Sequence, residues 1–137
     1  MACTETDSTL RIFSKDVDPS KIGEVLGVEA TRTIPRDLNS KARPRRENHY
    51  WCWESRGQVE STDNSEHIAA IIKLLEGRSI ALEELREMGC QTDICNYWVG
   101  NGQGGPSLDV EMLGALHKLG LPIWWDTYFD HDGESEK

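Results

Sequence analysis

"GLPIWWDTYF", residues 120–129, decides how the rest of the chain is read. It crowds two tryptophans, a tyrosine and a phenylalanine around one acid, Asp126, in a run typical of a strand. Alternate side chains on a strand point to opposite faces, so the adjacent Trp124 and Trp125 must part. The sheet is therefore expected to carry large rings on both faces. Ile123, Trp125, Thr127 and Phe129 are the more apolar set and are expected against helices. Trp124, Asp126 and Tyr128 fall on the other face, as part of a recognition surface. If Asp126 is instead covered, it needs a cation, and the nearest supply by composition is an arginine from residues 32–46.

Working outward, residues 107–120 read as a helix, with Ser107 as cap, a Leu108, Met112, Leu116 and Leu119 stripe, and Gly120 as stop. Before it lies a strand at about 90–99 and the turn "GNGQGGPS". That turn has neither the Gly-Lys-Ser/Thr of a P-loop nor a dinucleotide register, and Asp109 and Glu111 at the helix start would repel phosphate. Further upstream, Ser65 introduces a helix with Ile68, Ile71, Ile72 and Leu75 at helical spacing. A shorter helix follows from Ser79, with Leu82, Leu85 and Met88 inward. "HYWCWES", residues 49–55, is a strand that places Trp51 and Trp53 on one face. Near the start, "TLRIFS" (9–14) alternates as a half-buried strand, and Asp18-Pro19 opens a helix that Gly27 ends.

The order β-α-loop-β-α-α-β-α-β predicts an α+β fold. It is a two-layer sandwich, a mainly antiparallel sheet of about four strands with helices on one face. A chain of 137 residues supports one domain, expected over 9–129. Residues 1–8 read as a flexible N-terminus and 130–137 as a flexible acidic tail, because neither holds an apolar run.

Charge is uneven. The net charge is −9, but residues 32–46 hold six cations against one acid, +5, which leaves −14 for the remainder. Such a body repels nucleic acid and attracts basic proteins. The basic stretch lies in a long polar connection, about 29–48, the kind of loop that is usually functional or mobile. Arg43, Arg45 and Arg46 are its anion-binding candidates. The four cysteines, Cys3, Cys52, Cys90 and Cys95, form no Cys-x-x-Cys pair and read as free thiols. His49, His67, His117 and His131 are scattered; His67 and His117 are expected as solvated helix flanks. No metal ligand set, cofactor motif or assembled catalytic set is expected. Met1 is not followed by a basic and apolar leader, and no apolar run is long enough to span a bilayer, so a cytoplasmic protein without membrane contact is expected.

The strand "TLRIFS", the helix "DVDPSKIGEVLGVEATR", the Arg-rich lead into "YWCWES", the helix "SEHIAAIIKLLEG" and the terminal "LHKLGLPIWWDTYF" together resemble the domain of unknown function 4279 family over about residues 9–129. A Leu-Gly-Leu step into a strand with an Asp followed by Tyr is typical of that family, and Asp126 and Tyr128 match it. The doubled tryptophan departs from it. The resemblance implies small bacterial cytoplasmic proteins without established catalysis, and it supplies no catalytic residues.

The expected function is a non-enzymatic, acidic protein-binding module. An immunity protein that neutralises a cognate basic toxin is its most specific form. Its surface would comprise Trp124, Asp126 and Tyr128, with Trp51 and Trp53 as further aromatic candidates. The alternative is a small-ligand-binding or catalytic domain that uses the Arg-rich loop 32–46 as an anion clamp.

Overall fold

Strand β1 (Cys3–Ser14) runs through the middle of the sheet, and everything else is arranged about it. The computed structural model describes residues 3–129. After β1 come α1 (Pro19–Leu26), β2 (Arg32–Ile34), α2 (Arg43–Glu47), β3 (His49–Glu54), α3 (Asn64–Leu74), α4 (Ser79–Glu87), β4 (Gln91–Gly100), α5 (Val110–Leu119) and β5 (Ile123–Phe129). The strand order is β2-β3-β1-β4-β5. All neighbours are antiparallel except β4 and β5, which are parallel because α5 carries the chain back over the sheet. The fold is α+β, as the order of elements predicts.

Helices α1, α3, α4 and α5 cover one face. The core lies between Leu10, Ile12, Trp51 and Ile94 of the sheet and Ile22, Leu26, Ile68, Ile71, Leu82, Leu85 and Leu116 of the helices, all buried. Two arginines tie the helix layer together. Arg78 Nη1 donates to the Leu26 carbonyl at 2.9 Å, and Arg86 Nη2 donates to the carbonyls of Leu119 and Gly120. Each guanidinium thus sits at the C-terminus of a neighbouring helix, where the last carbonyls lack helical partners and the macrodipole favours a cation.

The structure corrects the reading in four places. The chain is already a paired strand from Cys3, so residues 3–8 are not a frayed end. Their inward side chains, Cys3, Thr6 and Ser8, are small and mostly hydroxylic, so they bury without an apolar signature. Among the described residues the sheet has five strands rather than about four, because Arg32–Ile34 pairs with β3 inside the segment read as a loop. That segment also holds α2. The caps of α3 and α5 are Asp63 and Asp109, whose carboxylates accept from Ser65 N at 3.0 Å and Met112 N at 2.8 Å, rather than Ser65 and Ser107. The acidic stretch 130–137 lies outside the described residues.

Candidate functional site

The face of the sheet opposite the helices divides into two halves. On β2, β3 and β1, side chains seal one another. Arg11 makes a bidentate pair with Asp93, at 2.8 and 2.7 Å, and lies over the Phe13 ring at 5.2 Å. Phe13 packs on Tyr50 with ring centroids 5.2 Å apart, and Arg32 pairs with Glu54 at 3.1 Å. Beneath them Cys52 is fully buried. Burial and the Cys52 thiol raise the Tyr50 hydroxyl far above its ordinary pKa, so it stays protonated.

The half built by β4 and β5 is open. Trp124 is 61% exposed and Tyr128 51% exposed, with the exposed Asp126 between them. The register places Asp126 beside Tyr97 and Tyr128 beside Val99, and across β1 it aligns Tyr97 with Asp7 and Val99 with Glu5. Tyr97 and Tyr128 are tilted rings 5.6 Å apart. A hydrogen bond to Asp126 and its negative charge raise the Tyr128 hydroxyl pKa. Arg56 bridges Glu5 at 3.2 Å and Asp7 at 3.3 Å. Burial nevertheless holds the Asp7 carboxyl above its ordinary range, with Arg56 only partly offsetting it. Three carboxylates and one guanidinium therefore surround an aromatic strip along a sheet edge.

Of the residues singled out from sequence, Trp124, Asp126 and Tyr128 are brought together as expected. Trp51 and Trp53 are not with them. Antiparallel pairing sets Trp51 opposite Ile12 and Trp53 opposite Leu10, which fixes both rings on the helix side: Trp51 is in the core and Trp53 packs against it. The Arg cluster does not form a clamp. α2 buries no side chain, Arg43 is spent on Glu47 at 2.8 Å, and Arg46 Nη1 reaches the Ser40 carbonyl at 3.4 Å. Arg45, two residues from Arg43, is about 200° around the helix from it. The cluster also sits beside β2 and β3, whereas β5 is the far edge, ~19 Å from β2 at ordinary strand spacing. Asp126 is exposed and far from these arginines, so the ion pair that a covered Asp126 would need from residues 32–46 is not formed.

His67 is likewise not a solvated flank. It is buried, with Nδ1 2.7 Å from Ser55 Oγ and Nε2 2.9 Å from the Ser61 carbonyl. A carbonyl only accepts, so Nε2 carries a proton, and in the neutral imidazole Nδ1 is then the acceptor for the Ser55 hydroxyl. Ser55 Oγ in turn accepts from Ser8 N at 2.8 Å. The same logic orients a second branch. The Trp124 carbonyl takes a hydrogen from Asn96 Nδ2 at 3.1 Å, which leaves Asn96 Oδ1 to accept from the Ser8 hydroxyl. Thr6 Oγ1 donates to the Tyr97 carbonyl at 2.7 Å, so both hydroxyls must accept from Asn64 Nδ2, at 2.9 Å for Thr6 and 3.3 Å for Ser8. The spacing of Asn64 and His67 with Ile71 on one stripe of α3 was the available signal for this network.

The cysteines are free, with Cys3, Cys52 and Cys90 buried and Cys95 partly so. Burial raises the thiols of Cys3, Cys90 and Cys95, which disfavours thiolate chemistry. Among the described residues no three His, Cys, Asp or Glu side chains are grouped to hold a metal ion, and no helix is long and apolar enough to cross a membrane.

No curated protein and no solved structure matches the chain. A family model described as Domain of unknown function (DUF4279) matches residues 4–130, from the start of β1 to the end of β5, and the chain therefore belongs to that family.

Proposed function

We propose that this chain is a non-enzymatic binding module that takes a basic protein on the open half of its sheet. The observation that carries this reading is the exposed Trp124-Asp126-Tyr128 strip on edge strand β5, with Glu5 and Asp7 alongside. Large rings beside a carboxylate are the composition of an interface hot spot, and an arginine or lysine from a partner gains both ion pairing and contact with a ring face. Among the described residues β5 is also the last strand of the sheet, the position from which an extended partner segment can be taken up. The excess of acid over base in the whole chain extends the same attraction to long range and speeds encounter.

Ser55 and His67 have the pairing of a nucleophile and its base, but Ser55 is fully buried and both groups hold the 55–61 segment against β1. This supports binding over hydrolysis. A cytoplasmic immunity protein that neutralises a basic toxin is the form of the proposal that best suits the size and charge. The test is to co-express the chain with a basic protein encoded beside its gene and to measure the complex by calorimetry. Binding should weaken with added salt, and Trp124→Ala and Asp126→Asn should each weaken it about tenfold or more, about 1.4 kcal/mol. A complex indifferent to both substitutions would overturn the assigned surface.

A further inference from the structure

Strand β5 starts late. Its first residue, Ile123, lies beside Ile94, so residues 91–93 of β4 run on past its end with no strand on that side among the described residues. A cavity of about 580 Å³ fills this corner, between the open face of the sheet and the link from α5 into β5. Two arginines line it from different elements, Arg11 of β1 and Arg86 of α4. Both are already held in place. Asp93 takes Nε and Nη2 of Arg11, while Arg86 gives Nε to Thr92 Oγ1 at 3.2 Å and Nη2 to the Leu119 and Gly120 carbonyls. Gly120 is what admits Arg86: a Cβ there would stand 3.1–3.2 Å from three guanidinium atoms.

The Nη1 nitrogen of each arginine is left without a hydrogen-bond partner among the described residues, and neither nitrogen is closed off from solvent. A guanidinium presents its donors in a planar fork suited to a carboxylate, and one already fixed by other bonds loses little freedom on pairing. The charges favour an anion as well. Asp93 is the one acid among the described lining residues and is spent on Arg11, whereas the partners of Arg86 among the described residues are a hydroxyl and two carbonyls. The cavity is thus a cationic spot on a chain whose net charge is −9. At its upper wall stands Trp124, 61% exposed, whose indole offers a face to a flat ring.

We propose that this cavity binds a small aromatic carboxylate, with the carboxylate paired to Arg86 beside Arg11 and the ring against Trp124. The site shares Trp124 with the β5 strip but selects the opposite charge, so it does not rest on the reading given for that strip. Titration of the isotopically labelled full chain with benzoate, phenylacetate and 3-phenylpropionate, followed by NMR, tests the assignment. Acetate supplies the charge without the ring, and benzylamine the ring with the opposite charge. At least one aromatic carboxylate should shift the Arg11 and Arg86 Nε–H signals and the Trp124 indole N–H with a saturable dose response that weakens in added salt. Trp124→Ala should weaken the response of the two arginine signals about tenfold or more. Gln91 is exposed on the cavity wall, so Gln91→Glu should weaken the response about threefold and Gln91→Lys strengthen it by as much. Absence of saturable shifts with all three aromatic carboxylates, a matching response of the same signals to acetate or benzylamine, a response unchanged in Trp124→Ala, or one indifferent to the sign of charge at position 91 would each overturn the proposal.

Discussion

Asn96 donates through Nδ2 to the backbone carbonyl of Trp124 across 3.1 Å, so the exposed strand β5 is anchored by a side chain from the helix side of β4 as well as by its ladder. The same asparagine accepts from Ser8, and through Ser8 the anchor reaches Ser55 and His67. The ring presented to solvent and the polar network beneath the sheet are one mechanical unit.

Asn96→Ala should therefore destabilise the fold by about 2–4 kcal/mol, because it strips partners from a buried hydroxyl and a main-chain carbonyl at once. Urea denaturation would show the loss, and hydrogen exchange should quicken first in the β5 amides. A loss confined to global stability, with β5 no more labile than β1, would contradict the anchor.

Two tryptophans on opposite faces should respond in opposite ways. Trp51 is 1% exposed in the core and Trp124 61% exposed on the open face. Trp51→Ala is expected to cost about 3–5 kcal/mol, whereas Trp124→Ala should stay within about 0.5 kcal/mol of the parent in the same denaturation experiment. Similar losses at both sites would show that the open face is packed.

Asp7 makes stability depend on pH with a definite sign. Desolvation holds its carboxyl above the ordinary 3.8 despite Arg56, so the folded chain keeps this proton to higher pH than the unfolded chain does. Folding then loses stability at this site as pH rises from 3.8 through the raised value. Asp7→Asn removes the dependence, and in urea titrations from about pH 3 to about pH 7 its stability relative to the parent should increase with pH. A difference that shrinks with rising pH would show that Arg56 outweighs the burial.

The triple replacement of Arg43, Arg45 and Arg46 by Ala should leave stability within about 0.5 kcal/mol, since α2 buries nothing. Because the three guanidinium groups do not converge, it should also leave any weak response to phosphate or sulfate unchanged. Unfolding of the variant, or loss of a saturable anion response, would restore the loop to a structural or clamping role.

The helices and the open-face placement of Trp124, Asp126 and Tyr128 were legible because helical spacing and strand parity are local properties of the chain. Which face of β3 turns inward was not. Alternation separates Trp51 and Trp53 from Tyr50 and Cys52, but only pairing with Leu10 and Ile12 decides which pair faces the helices. Residues 3–8 escaped notice for a related reason. The partners that make Thr6 and Ser8 buriable, Asn64, Asn96 and the Tyr97 carbonyl, lie far along the chain and leave no local mark. The aspartate caps of α3 and α5 were displaced by two residues because serine and aspartate cap equally well, and the choice falls to the entering backbone.

The most direct measurement is on Asp126→Asn, which keeps the shape of the strip and removes its charge. With the basic partner titrated calorimetrically and the isolated chain denatured in parallel, the variant should unfold like the parent while its affinity falls about tenfold or more. A variant that loses several kcal/mol of stability on its own, or that binds the partner as tightly as the parent, would contradict a recognition role for Asp126.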